Sequence, residues 1–351
     1  MTNTKSYGVR RLAAGWWVLI VIVAIAALIA GFFAMVAATH GPARSEPAGT
    51  IAVADVDGRN IAVVVYRADT IGHLDLFRIE SMGYSTQAEA FDLDTGERVW
   101  DTLLFAEFGG TEAEVLGMGT EYVYISSASG LLILDAATGE IVSREGEIGG
   151  LGEDYIAAID AYVWDADAEA VVLLDAHGAV LSVPVDELGA VRAPEEIASR
   201  WAGDLNTGSR PGSVFSPDSW EHLDSCAHLP GGESIEPVWA SDGWDVDVLL
   251  ENATVLEATG LAAGWQSGIA VTQTDRPAES DAGFLFQVGD LATGGLIGTA
   301  EGESSASGVA VSGAGQVVLL TKNDSYQGLL LVASTDGIRS SVIGERAFLG
   351  W

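Results

Sequence analysis

Residues 122–139 read YVYISSASGLLILDAATG, and forty residues later residues 162–178 read YVWDADAEAVVLLDAHG. Both stretches open on an aromatic-Val-aromatic triplet, Tyr122-Val123-Tyr124 and Tyr162-Val163-Trp164. Both then pass through an apolar run closed by aspartate (Leu131–Asp135, Val171–Asp175) and end on a glycine, Gly139 or Gly178. The second copy has lost one residue in its turn. Short apolar runs bounded by turn residues suit strands buried on both faces. A short polar residue before glycine suits a hairpin, because glycine accepts positive φ and the polar side chain satisfies the turn's backbone.

Further copies extend the pattern. Ser267–Val271 (SGIAV) and Ser307–Val311 (SGVAV) lie forty residues apart. They lead to Phe284–Val288 with Ala292-Thr293-Gly294 and to Leu329–Val332 with Thr335-Asp336-Gly337. An earlier copy is Ala90–Trp100, AFDLDTGERVW, and weaker turns stand at Asn206-Thr207-Gly208 and Ala258-Thr259-Gly260. A unit of this kind cannot bury both faces alone, so copies must stack. A period near forty with several short strands per copy predicts an all-β fold, a β-propeller. About 300 residues at roughly forty each give about seven blades, with six to eight open. Residues 188–252 hold several of the nine prolines and no clean copy, so an irregular insertion is expected there.

The segments Phe91–Trp100 (FDLDTGERVW) and Leu132–Glu140 (LILDAATGE) resemble the repeat of pyrroloquinoline-quinone-type propellers, in which LDxxTGxxxW recurs in each blade. The family's tryptophan, four places after the glycine, stands here only as Trp100; the corresponding positions are Ser143, Ser182, Gly298 and Ser341. The resemblance implies a propeller and admits pyrroloquinoline quinone as a cofactor. Quinone alcohol dehydrogenases of this type imply a vicinal Cys-Cys pair, and Cys226 is the chain's single cysteine. No quinone- or calcium-binding residue can be mapped from the family onto this chain. Many proteins with this repeat are scaffolds, so the likeness speaks to fold more than to activity.

Charge organises the chain. Of 351 residues, 50 are Asp or Glu and 16 are Lys or Arg, and no acid occurs before Glu46. Three cations (Lys5, Arg10, Arg11) precede residue 40; 13 cations stand against all 50 acids after it, so the two parts carry +3 and −37. That surface argues against a nucleic-acid partner. Residues 16–38, WWVLIVIVAIAALIAGFFAMVAA, are free of charge. As a helix they would span roughly 35 Å, enough for a bilayer core of about 30 Å. Trp16 and Trp17 fit an interfacial anchor, and the positive-inside bias keeps residues 1–15 in the cytoplasm. A cleaved signal peptide is the other reading, but its apolar stretch is usually only about 7–15 residues long. The expected organisation is a cytoplasmic tail (1–15), a transmembrane helix (16–38), a linker (39–49) and an extracytoplasmic propeller (50–351). Its partners would be the bilayer and a protein or other component of the envelope.

Candidate chemistry is sparse. Residues 218–228, DSWEHLDSCAH, place His222, Cys226 and His228 within seven residues, beside several carboxylates. Imidazole and thiolate are good ligands for a divalent metal, and three can form an open site; an acidic surface loop with a free thiol explains the same residues. Trp201, Trp220, Trp239 and Trp244 could form a ligand rim or pack an irregular blade. Asp55-Val56-Asp57-Gly58 is too short for a calcium loop and reads as a hairpin turn. His177 takes the place of a small residue in sister turns. The pairs Asp92/Asp94 and Asp165/Asp167 are expected in turns, in solvent. No complete nucleophile motif or P-loop occurs, so no catalytic residue is assigned. The expected function is a membrane-tethered, non-catalytic binding or scaffold protein; the alternative is a quinone- or metal-dependent oxidoreductase outside the cytoplasm.

Overall fold

The fold is that of a computed structural model, which describes residues 45–69, 84–106, 112–203, 205, 268–275, 283–290, 295–304, 306–325 and 327–344, residues 23 and 25, and the backbone of short strands between 227 and 264. Val23 and Ile25 are helical and exposed; the rest of the expected membrane helix lies outside the described residues. Among the described residues no helix is long and apolar enough to cross a membrane.

The chain builds antiparallel sheets one after another, each from strands consecutive in sequence. The first holds β1 (Ser45–Val56), β2 (Arg59–Asp69), β3 (Tyr84–Asp92) and β4 (Arg98–Phe105). The second holds β5 (Ala113–Met118), β6 (Tyr122–Ser127), β7 (Gly130–Asp135) and β8 (Ile141–Ser143). The third holds β9 (Tyr162–Asp165), β10 (Ala170–Leu174), β11 (Val180–Pro184) and β12 (Val191–Arg192), followed by a short helix, α1 (Glu195–Trp201). Two smaller sheets follow, β13 (Ala227–His228) with β14 (Ser234–Ile235), and β15 (Val238–Trp239) with β16 (Val246–Leu249) and β17 (Val255–Ala258). Two more four-stranded sheets complete the described chain. One has β18 (Gly260–Gly264), β19 (Ile269–Asp275), β20 (Phe284–Asp290) and β21 (Leu296–Gly302); the last has β22 (Gly308–Val311), β23 (Val317–Lys322), β24 (Gly328–Ser334) and β25 (Gly337–Val342).

The apolar runs explain how these sheets stack. Successive side chains of a strand point to opposite faces, so a strand apolar at every position must feed two cores. In β7, Leu132 and Leu134 join a core shared with the first sheet, whereas Leu131 and Ile133 join one shared with the third. In β2, Val63 and Val65 face the second sheet, while Ala62, Val64 and Tyr66 face Val318, Leu320, Leu330 and Val332 of the last sheet. Val317, Leu319, Leu329 and Leu331 turn the other way, toward Ile269, Phe286 and Val288. The first sheet is thus sandwiched between the second and the last. First strands of neighbouring sheets approach one another, β1 beside both β5 and β22, and β18 beside β22. Fourth strands lie outside, leaving Leu103 and Leu296 more than half exposed.

The turns behave as their chemistry requires. Gly96, Gly139 and Gly178 have φ of 75°, 73° and 81°. Asp92 Oδ1 accepts from the Asp94 and Thr95 N–H groups, and Asp135 Oδ1 from those of Ala137 and Thr138. Asp57-Gly58 is the β1–β2 hairpin turn, both residues at positive φ, with the Gly58 N–H donating to Asp55.

Four expectations change. The linker expected over 39–49 overlaps β1, which begins at Ser45 and passes Pro47 and Gly49 through a bulge. The pentapeptides SGIAV and SGVAV are not equivalent: the former enters β19, a second strand, and the latter enters β22, a first strand. Glycine followed by alternating apolar residues opens any strand, so it carries no position within a sheet. In the first, second and last sheets the glycine turn precedes the fourth strand, but Gly178 falls between β10 and β11, the second and third. Before β9 the glycine-rich stretch 145–161 forms 3-10 turns instead of a strand, and β12 is added at the far edge. Lastly, β12 and α1 lie inside the region expected to be irregular, and β12 belongs to the third sheet.

Candidate functional site

A cavity of about 530 Å³ opens where the first strands begin. Glu46, Pro47 and Ala48 of β1 form one wall, and Glu112 to Glu114, at the entry of β5, another. Arg67 near the end of β2, Ala128 after β6, and Ala158 to Asp160 before β9 close it. Two cross-links hold the walls. The Val115 N–H donates to Thr50 Oγ1 (3.0 Å), tying β5 to β1, and the Ala128 N–H donates to the Glu112 carbonyl (3.0 Å). Strand entries face solvent, so they tolerate charge that strand centres reject.

Four carboxylates and one guanidinium therefore line the cavity. Asp160 is buried, and Glu46 is exposed. Lys322 Nζ, from β23 of the last sheet, lies 2.9 Å from Glu46 Oε1. That hydrogen bond outweighs the effect of burial and, with the charges of Lys322 and Arg67, holds the Glu46 carboxyl below the usual glutamate range. A polycarboxylate such as pyrroloquinoline quinone would meet four like charges here, so these residues do not fit that cofactor.

A smaller cavity, about 270 Å³, lies between the last sheet and the first, lined by Asp94, Gln316, Ser334, Asp336 and Arg339. Gln316 Nε2 donates to Asp94 Oδ1 (2.9 Å), and the Arg339 guanidinium donates to the Asp94 carbonyl.

Of the residues singled out in the sequence, His222, Cys226, Trp220 and Trp244 lie outside the described residues, as do the side chains of His228 (β13) and Trp239 (β15). Among the described residues no group of three His, Cys, Asp or Glu side chains is placed to hold a metal. Trp201 ends α1, and its indole N–H donates to Asp165 Oδ2 (2.7 Å). Asp165 also takes Arg200 Nη1 at 3.0 Å and is 2% exposed, contrary to the expectation of a solvated turn acid. Burial raises its pKa, but the Trp201 and backbone N–H groups and Arg200 outweigh burial and hold it below the usual range. Asp165 is a buried clasp that fastens α1 to the third sheet. Asp92 ends β3 half-buried, Asp94 lies in the exposed turn that follows, and His177 is a turn residue 3.3 Å from Asp154.

The carboxylates of the cavity were not legible in the repeat. The repeat is written in buried strands and their closing turn, whereas Glu46, Glu112 and Glu114 sit at the starts of first strands, which carry little of it. A search for acids just ahead of each unit would have found them.

No protein-family model matches the chain, and no curated protein matches it. Among solved structures it is similar to TolB from Acinetobacter baumannii, at 13% identity over 75% of this chain and 77% of that one, with a TM-score of 0.23. It is also similar to BamB from Moraxella catarrhalis, at 12% identity over 86% of this chain and 99% of that one, with a TM-score of 0.20. Both are β-propeller proteins. At such scores the likeness carries no argument about this chain, and the resemblance to quinoprotein repeats rests on the sequence motifs alone.

Proposed function

We propose that this chain is a closed β-propeller of about seven blades, anchored by residues 16–38 outside the cytoplasm, that binds a partner and catalyses no reaction. One observation supports closure above all. The residue four places after the repeat's glycine in the sequence rests on the turn glycine of the next sheet, and this holds across three successive seams. Gly298 lies against Gly337, Ser341 Oγ donates to the Gly96 carbonyl (2.8 Å), and Trp100 covers Gly139. The middle seam joins the last described sheet to the first through the contact used between consecutive units.

Convergent first strands then make the acidic cavity the mouth of the ring. Four carboxylates against Arg67 favour a cationic peptide or amine over an anion. The test is binding of oligolysine and oligoglutamate of equal length to the full chain in detergent. Oligolysine should bind, more weakly as salt rises, and Glu112→Gln with Glu114→Gln should weaken it further. Equal binding of the two peptides, or binding of neither, sinks the reading. The topology is tested by a carboxy-terminal tag, which protease should remove from intact cells.

A further inference from the structure

We propose that Ile343-Gly344 is a strap that locks the last sheet onto the first and opens as a local unit, separately from global unfolding. The inference rests on the packing of these two sheets, not on the ligand reading. The first sheet joins the second through the β4–β5 connection, and the sheet of β18–β21 joins the last through β21–β22. The last and first sheets share neither a connection nor a strand. Their seam gains nothing from the effective concentration that a linker supplies.

The strap replaces that link with a set of convergent bonds. Ser45, at the start of β1 and 1% exposed, donates from Oγ to the Ile343 carbonyl (2.6 Å) and accepts from the Gly328 N–H (2.9 Å). The Ile343 N–H donates to the Gly328 carbonyl (2.8 Å). Glu89, in the middle of β3 and 1% exposed, accepts the Gly344 N–H at 2.8 Å and Arg98 Nη1 at 3.0 Å. Gly344 has φ of 75°, and a Cβ there would stand 2.8 Å from the Tyr66 ring, so the strap crosses Tyr66 at a position suited to glycine.

When the strap lifts, Ser45, Glu89 and the freed backbone groups exchange protein bonds for water, and the apolar cost is the uncovering of Ile343, now fully buried in the cluster of this seam; parting the Trp100 seam would expose a larger indole.

Native-state hydrogen exchange on the full-length chain in detergent tests the strap. In the wild-type protein the amides of Gly328, Ile343 and Gly344 should exchange through an opening that depends less on denaturant than that of the β6 and β7 amides. Ser45→Ala should speed exchange at Gly328 and Gly344 by about tenfold or more while leaving the β6 and β7 amides unchanged. Glu89→Leu, which removes the acceptor of the Gly344 N–H, serves as the second variant and should likewise speed exchange at Gly344. If strap and β6–β7 amides share one denaturant dependence in the wild type, or if the variants speed both equally or neither, the strap does not open on its own and the proposal falls.

Discussion

The seam between the first and second sheets and the seam between the last and first use one geometric device with opposite chemistry. At the former, Trp100 is 8% exposed, donates its indole N–H to the Ala136 carbonyl (2.9 Å) and lies flat on Gly139, while Thr102 Oγ1 donates to the Gly139 carbonyl (2.7 Å). At the latter, Ser341 takes the tryptophan's place, and Gln316, Arg339, Ser45 and Glu89 supply polar bonds around an apolar cluster. The seam between the first and second sheets, tethered by the chain, carries a bulky apolar plug at this position. The untethered seam adds to its apolar cluster directional bonds, which specify register more than they stabilise.

The largest blow to this contrast is Trp100→Ala. It should cost about 3–5 kcal/mol, as large aromatic truncations in cores do. Urea unfolding would read the loss, and a cost near that of Ser341→Ala would erase the distinction between the seams. Next comes Gly139→Ala. Its Cβ would stand 2.5 Å from the Trp100 ring, on a residue at φ 73°. Overpacking and the left-handed backbone together should cost about 2–4 kcal/mol. In the Trp100→Ala background much of that penalty should vanish, which a double-mutant cycle measures. Ser341→Ala removes one hydrogen bond and should cost only about 1 kcal/mol.

The smallest effect is a change of slope with pH, and it sets the untethered seam apart by sign from the seam between the second and third sheets. Burial raises the Glu89 pKa above 4.5, more than the Gly344 N–H and Arg98 lower it. Its contribution to stability is therefore complete below pH 4.5 and is lost as pH rises through the raised folded value. Asp186 behaves oppositely. From the loop after β11 it accepts the N–H groups of Thr120, Glu121 and Tyr122 on the second sheet. Burial raises its pKa, but those donors and the Thr120 hydroxyl outweigh burial and hold it below 3.8. Its contribution is present above pH 3.8 and is lost as pH falls. Urea midpoints between about pH 3 and 8 should show Glu89→Gln flattening the decline above pH 4.5 and Asp186→Asn flattening the acid limb. Interchanged effects would contradict both assignments.

Much of the fold was legible because burial on two faces leaves a mark in one dimension. Leu131–Leu134 and Val317–Leu320 are apolar at every position, and only a strand between two cores requires that. The aspartate-to-glycine turns were equally plain, since their hydrogen bonds are local. The shift of Gly178 by one strand was not, because whether residues 145–161 form a first strand depends on what packs beside them. Asp165 looked like its solvated neighbours because its burial is imposed by Arg200 and Trp201, more than thirty residues away. The cavity was hidden for the same reason, its carboxylates coming from three sheets and converging only when first strands meet.

The sequence by itself determined an all-β chain of repeated units, the polarity of its charge from +3 to −37, and the turns that close each unit. These rest on periodicity, composition and bonds spanning a few residues. Tertiary structure alone decided which sheets are neighbours, that the last returns to the first, and that Glu46, Arg67, Glu112, Glu114 and Asp160 share a cavity. Such facts depend on contacts between residues hundreds of positions apart, as Ser45 and Ile343 are, and no local pattern encodes the partner of a face.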